Sequence, residues 1–229
     1  MPSARRSRPA SPKPAARPSL RHERALVAAG CSPVAGVDEA GRGAWAGPVA
    51  AGAVILPLEP ATMRRLRGLT DSKQLSVVER ARFASLIRDV AVCHAVGWAT
   101  ANEIDQLGIV PATRLAMRRA VQGLDMTPGG LVIDALKLPE VAIHQDVFFF
   151  ADAISLSVAA ASVMAKTARD ARMAALGSTW PGYGFASHKG YGTAEHAAAL
   201  EALGPCPEHR RTFRPVAMCV VDAVLWAPL

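Results

Sequence analysis

Three β-type runs of this chain each end in acid: Val34-Ala-Gly-Val-Asp38-Glu39, Leu131-Val-Ile-Asp134 and Phe148-Phe-Phe-Ala-Asp152. If the three strands are neighbours in one sheet, their ends bring Asp38, Glu39, Asp134 and Asp152 to one pocket. Four negative charges in a partly desolvated pocket repel strongly, so they require cations or raised pKa values. Hard oxygen ligands select Mg²⁺ or Mn²⁺, and four formal charges match two divalent ions. A single Asp just past a strand is more often a turn former or helix cap, and three of them weaken that alternative without removing it. Asp38 and Glu39 should face opposite sides of a regular strand. Both reach one site only if the chain bends, which the following Gly41-Arg42-Gly43 permits.

Gly41, Arg42 and Gly43 have a second use. Glycines let backbone N–H and C=O groups approach a sugar or phosphate closely, while Arg42 supplies charge; a simple turn is the plainer alternative. Aromatic rings, His188 and Lys189 alternate with glycine from Tyr183 to Gly192, a mixture suited to stacking on bases or sugars and to pairing with phosphate. For Tyr183 and Phe185, packing in the core is an equal alternative. His209 to Arg214 forms a basic cluster that is either a solvated face or a track for a phosphate backbone.

The elements that must position these groups alternate along the chain, the pattern of an α/β domain. Strands are expected at 34–37, 49–56, 90–98, 131–133 and 147–150. Ser76-x-x-Glu79 and Thr100-x-x-Glu103 have the capping-box spacing that opens a helix. Pro111 suits the first turn of a helix running to about Gly123. A long buried helix over 157–176, another over 193–203 and a C-terminal one over 216–226 complete the set.

The 229 residues suffice for one well-buried domain. The net charge of +7 is mostly local: residues 1–24 hold seven basic side chains against Glu23 alone, while the rest carries 19 basic and 18 acidic residues. With five prolines, residues 1–24 read as a disordered basic tail, and residues 25–229 as the catalytic domain. Cys31, Cys93, Cys206 and Cys219 lack zinc-finger or redox spacing and read as free thiols of a reducing cytoplasm. No run is long and apolar enough to cross a bilayer.

Taken together, Asp38-Glu39-Ala-Gly-Arg-Gly-Ala-Trp-Ala-Gly-Pro48, Asp71-Ser72-Lys73, Glu103-Ile104-Asp105, Ile133-Asp134, Asp152 to Ser162, Ala165-Lys166 to Asp170, His188-Lys189-Gly-Tyr191 and His209 to Arg214 closely resemble the ribonuclease HII family. The resemblance covers nearly all of residues 34–215. It implies a ribonuclease H-like fold, a mixed five-stranded sheet flanked by helices with a helical C-terminal extension. It assigns the metal-binding, catalytic carboxylates to Asp38, Glu39, Asp134 and Asp152, with two Mg²⁺ or Mn²⁺ ions. It makes the Gly41-Arg42-Gly43 backbone the reader of a ribose 2′-OH and Tyr191 the ring on the adjoining deoxyribose, with Lys73, Lys166, His188 and Lys189 also on the substrate. The implied activity is that of a monomeric cytoplasmic endoribonuclease, which cuts the RNA strand of RNA–DNA hybrids and incises 5′ to ribonucleotides embedded in duplex DNA, leaving 3′-OH and 5′-phosphate ends. Its role would be ribonucleotide removal in replication and repair.

Five residues at four places depart from the usual family pattern. Ala44-Trp45 stands for Pro-Leu, Gly108 for Asn, Ala135 for Gly and Gly192 for Pro. Gly192 is expected to loosen the loop under Tyr191. Ribonuclease HIII shares the fold but normally adds an N-terminal domain. Ribonuclease HI lacks the Gly-Arg-Gly arrangement. A silent hybrid-binding protein and a receiver-type phospho-acceptor domain are alternatives from other classes.

Overall fold

The structure, a computed structural model, describes residues 17–225. Five strands form one mixed sheet: β1 (Val34–Ala40), β2 (Val49–Ile55), β3 (Cys93–Ala99), β4 (Gly130–Asp134) and β5 (His144–Phe148). Their order is β3-β2-β1-β4-β5; β1 pairs antiparallel with β2 and β2 with β3, whereas β1–β4 and β4–β5 are parallel. All five strands lie where alternation and β-branched residues place them, with ends shifted by a few residues.

The helices are α1 (Arg21–Ala28), α2 (Pro60–Arg65), α3 (Val77–Val90), α4 (Ala101–Leu107), α5 (Ile109–Gln122), α6 (Leu156–Thr179), α7 (Phe185–His188), α8 (Ala194–Leu203) and α9 (Arg214–Leu225). Both expected capping boxes form, at Ser76/Glu79 and Thr100/Glu103, satisfying free N–H groups of α3 and α4. The sheet is sandwiched. Ala112, Ala116, Met117 and Ala120 of α5 pack with Val37, Val49 and Ile133 on one face. On the other, Leu156, Ala160 and Val163 of α6 pack with Val54 and with Phe83 and Ile87 of α3. β2 is buried along its whole length because both faces are covered.

The contact with α6 is close. A Cβ on Gly36 would lie 2.2 Å from the Ser157 carbonyl carbon, and one on Gly52 2.2 Å from the Ala161 oxygen. Only glycine at these strand positions lets the Ala-rich helix rest its backbone on the sheet.

The expected tail extends too far into the folded body. Residues 17–24 belong to it: Leu20 is fully buried, and Glu23, 1% exposed, accepts hydrogen bonds from Ser155 Oγ (2.6 Å), Ser157 N (3.0 Å) and Ser157 Oγ. A carboxylate at the start of α6 meets the unpaired N–H groups and positive end of the helix. Arg and Pro dominate the composition there and mask one apolar anchor and one cap. Residues 1–16 of the expected tail, and Trp226 of the expected last helix, lie outside the described residues. Among the described residues, no helix is long and apolar enough to cross a membrane.

Candidate active site

Asp38 and Glu39 lie near the C-terminal end of β1 and Asp134 ends β4. The β1–β4 pairing stops at Val37–Ile133, so the two chains part just before the acids. Carboxylate oxygens of Asp38, Glu39 and Asp134 fall within 4.8 Å of one another. Alternation does send Asp38 toward α6 and Glu39 the other way. The bend follows the acids, at Gly41 (φ +94°). Both side chains nevertheless reach one point, because the sheet has opened beside them.

The electrostatics are those of an unfinished site. Burial pushes the Asp38 carboxyl well above its usual range, the charges of Glu39, Asp134 and Asp152 push further, and the Ser162 hydroxyl opposes them. The Glu39 Oε2 is buried without a hydrogen-bond partner, while Oε1 takes Arg42 Nη1 at 3.1 Å. Asp134 is aimed by the Ala151 N–H, which donates to its Oδ1 at 2.8 Å. An orphaned carboxylate oxygen facing mutually repelling acids fits hard divalent cations held by Asp38, Glu39 and Asp134.

Asp152 stands at the edge of this group rather than within it. It sits in a 3₁₀ turn over Ala151–Ala153, 7% exposed, and its pKa is pushed up to about 6 by burial, then by the charges of Asp71 and Asp134 and a hydrogen bond shared with Asp71. Asp71 is thus a fifth acid of the pocket. Its signal was the Asp71-Ser72-Lys73 triplet, in which Lys73 alone drew a role. Burial works against the Lys73 charge, but Asp71, Asp38, Asp152 and Glu39 outweigh it and hold Lys73 above its usual value. Ser72 also belongs here, bonded at 2.9 Å to Ser162.

Beside the acids, the Gly41-Arg42-Gly43 turn is gripped from behind. Arg210, fully buried, donates to the carbonyls of Gly41 (2.8 Å), Arg42 (2.8 Å) and Gly47 (2.9 and 3.0 Å). Arg169, also fully buried, donates to those of Pro48 (2.9 Å), Lys189 (2.9 Å) and Ala46 (3.1 Å). A Cβ on Gly41 would strike Arg169 Nε at 1.9 Å, so glycine is required there by space as well as by φ. Among the described residues the N–H groups of Arg42 and Gly43 have no partner, which leaves them available to an incoming hydroxyl. Neither reading of the 209–214 cluster holds for Arg210: it is an internal clamp, and only a buried guanidinium with several carbonyl acceptors makes that stable.

In the aromatic loop, Tyr183 and Phe185 are core residues, stacked with centroids 5.3 Å apart. Tyr191 is half-buried, with Lys166 Nζ 5.4 Å and Arg169 Cζ 5.3 Å from its ring centroid. Lys166 is also paired with Asp170 at 2.6 Å. Lys189 turns its ammonium back to the Ala186 carbonyl. Of the phosphate and loop contacts open to His188, the loop contact is present: Nε2–H donates to the Tyr183 carbonyl at 2.7 Å and Nδ1 accepts from the Gly190 N–H at 3.1 Å, so both ring nitrogens brace the loop. Nor is the loop loosened by Gly192, because the Trp45 ring occupies the space a side chain would need, 2.1 Å from an added Cβ. Two departures from the family pattern thus form one compensated pair.

The comparisons with known proteins agree with this geometry. Residues 35–216 match the family model for Ribonuclease HII. A ribonuclease HII of Anaeromyxobacter sp. (strain Fw109-5) is 53% identical over 197 residues, 86% of this chain, and the chain spans 61% of that relative's length. One of Roseiflexus castenholzii is 50% identical, covering 87% of this chain and 89% of the relative. The crystal structure of ribonuclease H2 from Pyrococcus horikoshii OT3 superposes with a TM-score of 0.68 at 26% identity, over 82% of this chain and 97% of that one. With a sheet of the right order, acids gathered at its open end and four-fifths of the sequence matched in register, the chain belongs to the ribonuclease HII family.

Proposed function

We propose that this chain is an endoribonuclease that hydrolyses the RNA strand of RNA–DNA hybrids and nicks duplex DNA on the 5′ side of embedded ribonucleotides. One catalytic domain carries the activity, acting as a cytoplasmic monomer in ribonucleotide removal. The observation that carries the reading is the convergence of Asp38, Glu39 and Asp134, with Asp152 alongside, next to a clamped Gly-Arg-Gly turn.

Mg²⁺ or Mn²⁺ held by the acids would acidify the attacking water and stabilise the departing 3′ oxygen, the chemistry of a two-ion phosphodiester hydrolysis. The chain's own residues do the rest. Asp134 is oriented by the Ala151 N–H, and Glu39 by Arg42, so the acids keep their aim before substrate arrives. Arg210 fixes the carbonyls of Gly41 and Arg42 while Arg169 packs beneath Gly41, so that the turn presents the Arg42 and Gly43 N–H groups to a 2′-OH. That hydroxyl is what separates RNA from DNA at a given sugar. The Tyr191 ring packs flat on the next sugar and disfavours a hydroxyl beneath it. Lys73, beside the acids, is assigned to a substrate phosphate, and Lys166 and Lys189 would join it by giving up Asp170 and the Ala186 carbonyl.

The test is incubation with Mg²⁺ or Mn²⁺ and a duplex carrying one ribonucleotide. Nicking on its 5′ side with 3′-OH and 5′-phosphate ends is expected. A duplex shifted in a gel but never cut would favour a silent binder, and a 2′,3′-cyclic phosphate end would overturn the mechanism. In Asp134→Asn, cutting is expected to fall by at least about a hundredfold, with duplex binding largely kept.

A further inference from the structure

Behind Tyr191 lies a group of histidines that catalysis does not use. His196 and His209 are 0% and 1% exposed, and His188 stacks on His196 with ring centroids 4.4 Å apart and planes inclined by 14°. On its other side His196 meets Trp45, centroid to centroid 5.3 Å.

Their hydrogen bonds permit only one order of protons. The Tyr191 carbonyl can only accept, so His196 Nδ1, 2.9 Å away, carries a proton. The Cys206 amide can only donate, so His209 Nδ1, at 3.0 Å, is bare, and the Cys206 sulfur, 3.2 Å from the same nitrogen, then meets it as an S–H donor rather than as an acceptor. In neutral rings the remaining contact, Nε2 to Nε2 at 3.0 Å, must then run from a protonated His209 to an unprotonated His196. Burial, reinforced by the neighbouring histidines, holds His209 down to about 4, and burial holds His196 below its usual value, so neutral rings are the state near neutrality. A proton added to either ring would set two N–H groups head to head.

The backbone on either side of Tyr191 is held from the Trp45 side, where the Trp45 and Ala46 N–H groups donate to the Gly190 carbonyl and the Trp45 ring packs over Gly192. The Tyr191 carbonyl itself is held by His196, so two aromatic rings of fixed length, anchored at the Cys206 amide, set its position.

We propose that His196 and His209 are positioning residues, a proton-ordered relay from the Cys206 amide to the Tyr191 carbonyl that sets where the Tyr191 ring lies and so how strongly the enzyme favours a deoxyribose beside the cut. The proposal rests on the reading of Tyr191 as the ring that meets that sugar.

The experiment compares kcat/KM on a duplex with one ribonucleotide against kcat/KM on a uniform RNA–DNA hybrid, and takes the ratio. In His209→Leu, which leaves the His196 Nε2 without a donor, the ratio is expected to fall about three- to tenfold toward that of Tyr191→Ala. His209→Gln, whose amide N–H can take the place of Nε2–H, should restore it. In the Tyr191→Ala background, His209→Leu should change the ratio no further. A second, independent readout is ¹⁵N NMR of labelled histidines in the full chain at neutral pH, where His196 should be the Nδ1–H tautomer and His209 the Nε2–H tautomer. The reverse tautomers, or a charged ring, would overturn the relay even if His209→Leu fails to fold. An unchanged ratio in a folded His209→Leu, beside a lowered one in Tyr191→Ala, would overturn the relay alone. An unchanged ratio in Tyr191→Ala itself would overturn the role of Tyr191 and, with it, the functional half of the proposal.

Discussion

Like charges are crowded together twice in this protein, and the two places handle them in opposite ways. At the open end of the sheet, Asp38, Glu39, Asp71, Asp134 and Asp152 share one pocket, with Glu39 Oε2 unpartnered and Asp38 and Asp152 held above their usual values. A few residues away, Arg169 and Arg210 are also packed near each other and fully buried, and burial lowers both. Each guanidinium, however, is covered by three backbone carbonyls. The basic pole is satisfied within the chain, whereas the acidic pole keeps an orphaned oxygen and raised carboxyls whose repulsion divalent cations would relieve.

The largest way to break this contrast is to empty the basic pole. Arg210→Met is expected to leave three buried carbonyls short of donors and to cost about 3–5 kcal/mol of stability in urea unfolding. A loss under 1 kcal/mol would mean that the carbonyls find other donors and that the turn is not clamped. Next comes the packing that supports Tyr191: Gly192→Ala drives a methyl into the Trp45 ring and should cost about 1–3 kcal/mol, recovered when Trp45→Leu is added. Equal costs in both backgrounds would deny the compensation.

A smaller effect sharpens the acidic side. Asp152 has a folded value of about 6 against an ordinary 3.8, so between those pH values the folded chain keeps a proton that the unfolded chain releases. Its contribution is present at the acidic end of that window and is lost as pH rises to about 6 and above. Without divalent ions, Asp152→Asn should therefore melt a few degrees higher than the parent at about pH 8, with the difference vanishing near pH 4. Adding Mg²⁺ or Mn²⁺ at the higher pH should favour the parent, and scans that stay parallel across the range would remove the strain from the account. The least effect is at Ala135, which follows Asp134 at φ +58°. Ala135→Gly relieves a left-handed conformation and should raise stability by about 1 kcal/mol, seen as a small rise in Tm.

Much of this organisation is legible in the residues. Capping boxes mark α3 and α4 because a Ser or Thr three residues before Glu satisfies backbone groups locally, and alternation marks the strands because side chains change faces at each residue. Asp38, Glu39 and Asp134 are legible as acids that close β-type runs. Other features depend on partners far along the chain. Glu23 looks like part of a tail until Ser155 and Ser157 are beside it, 132 and 134 residues away. Arg210 reads as one of several exposed cations until the carbonyls of Gly41 and Gly47 surround it.

From the amino-acid order alone come the five strands, the helices α3 to α6, α8 and α9, the acids that close the strands and the Gly-Arg-Gly turn, because each depends on neighbours within a few residues. The helices α1, α2 and α7 are not legible there. Folding in three dimensions decided which acids share a pocket, that Asp71 joins them, that Trp45 fills the space left by Gly192, and that three histidines brace the loop of Tyr191. Hydrogen-bond direction, burial and charge repulsion act across space, and no local pattern records which distant groups the chain will bring together.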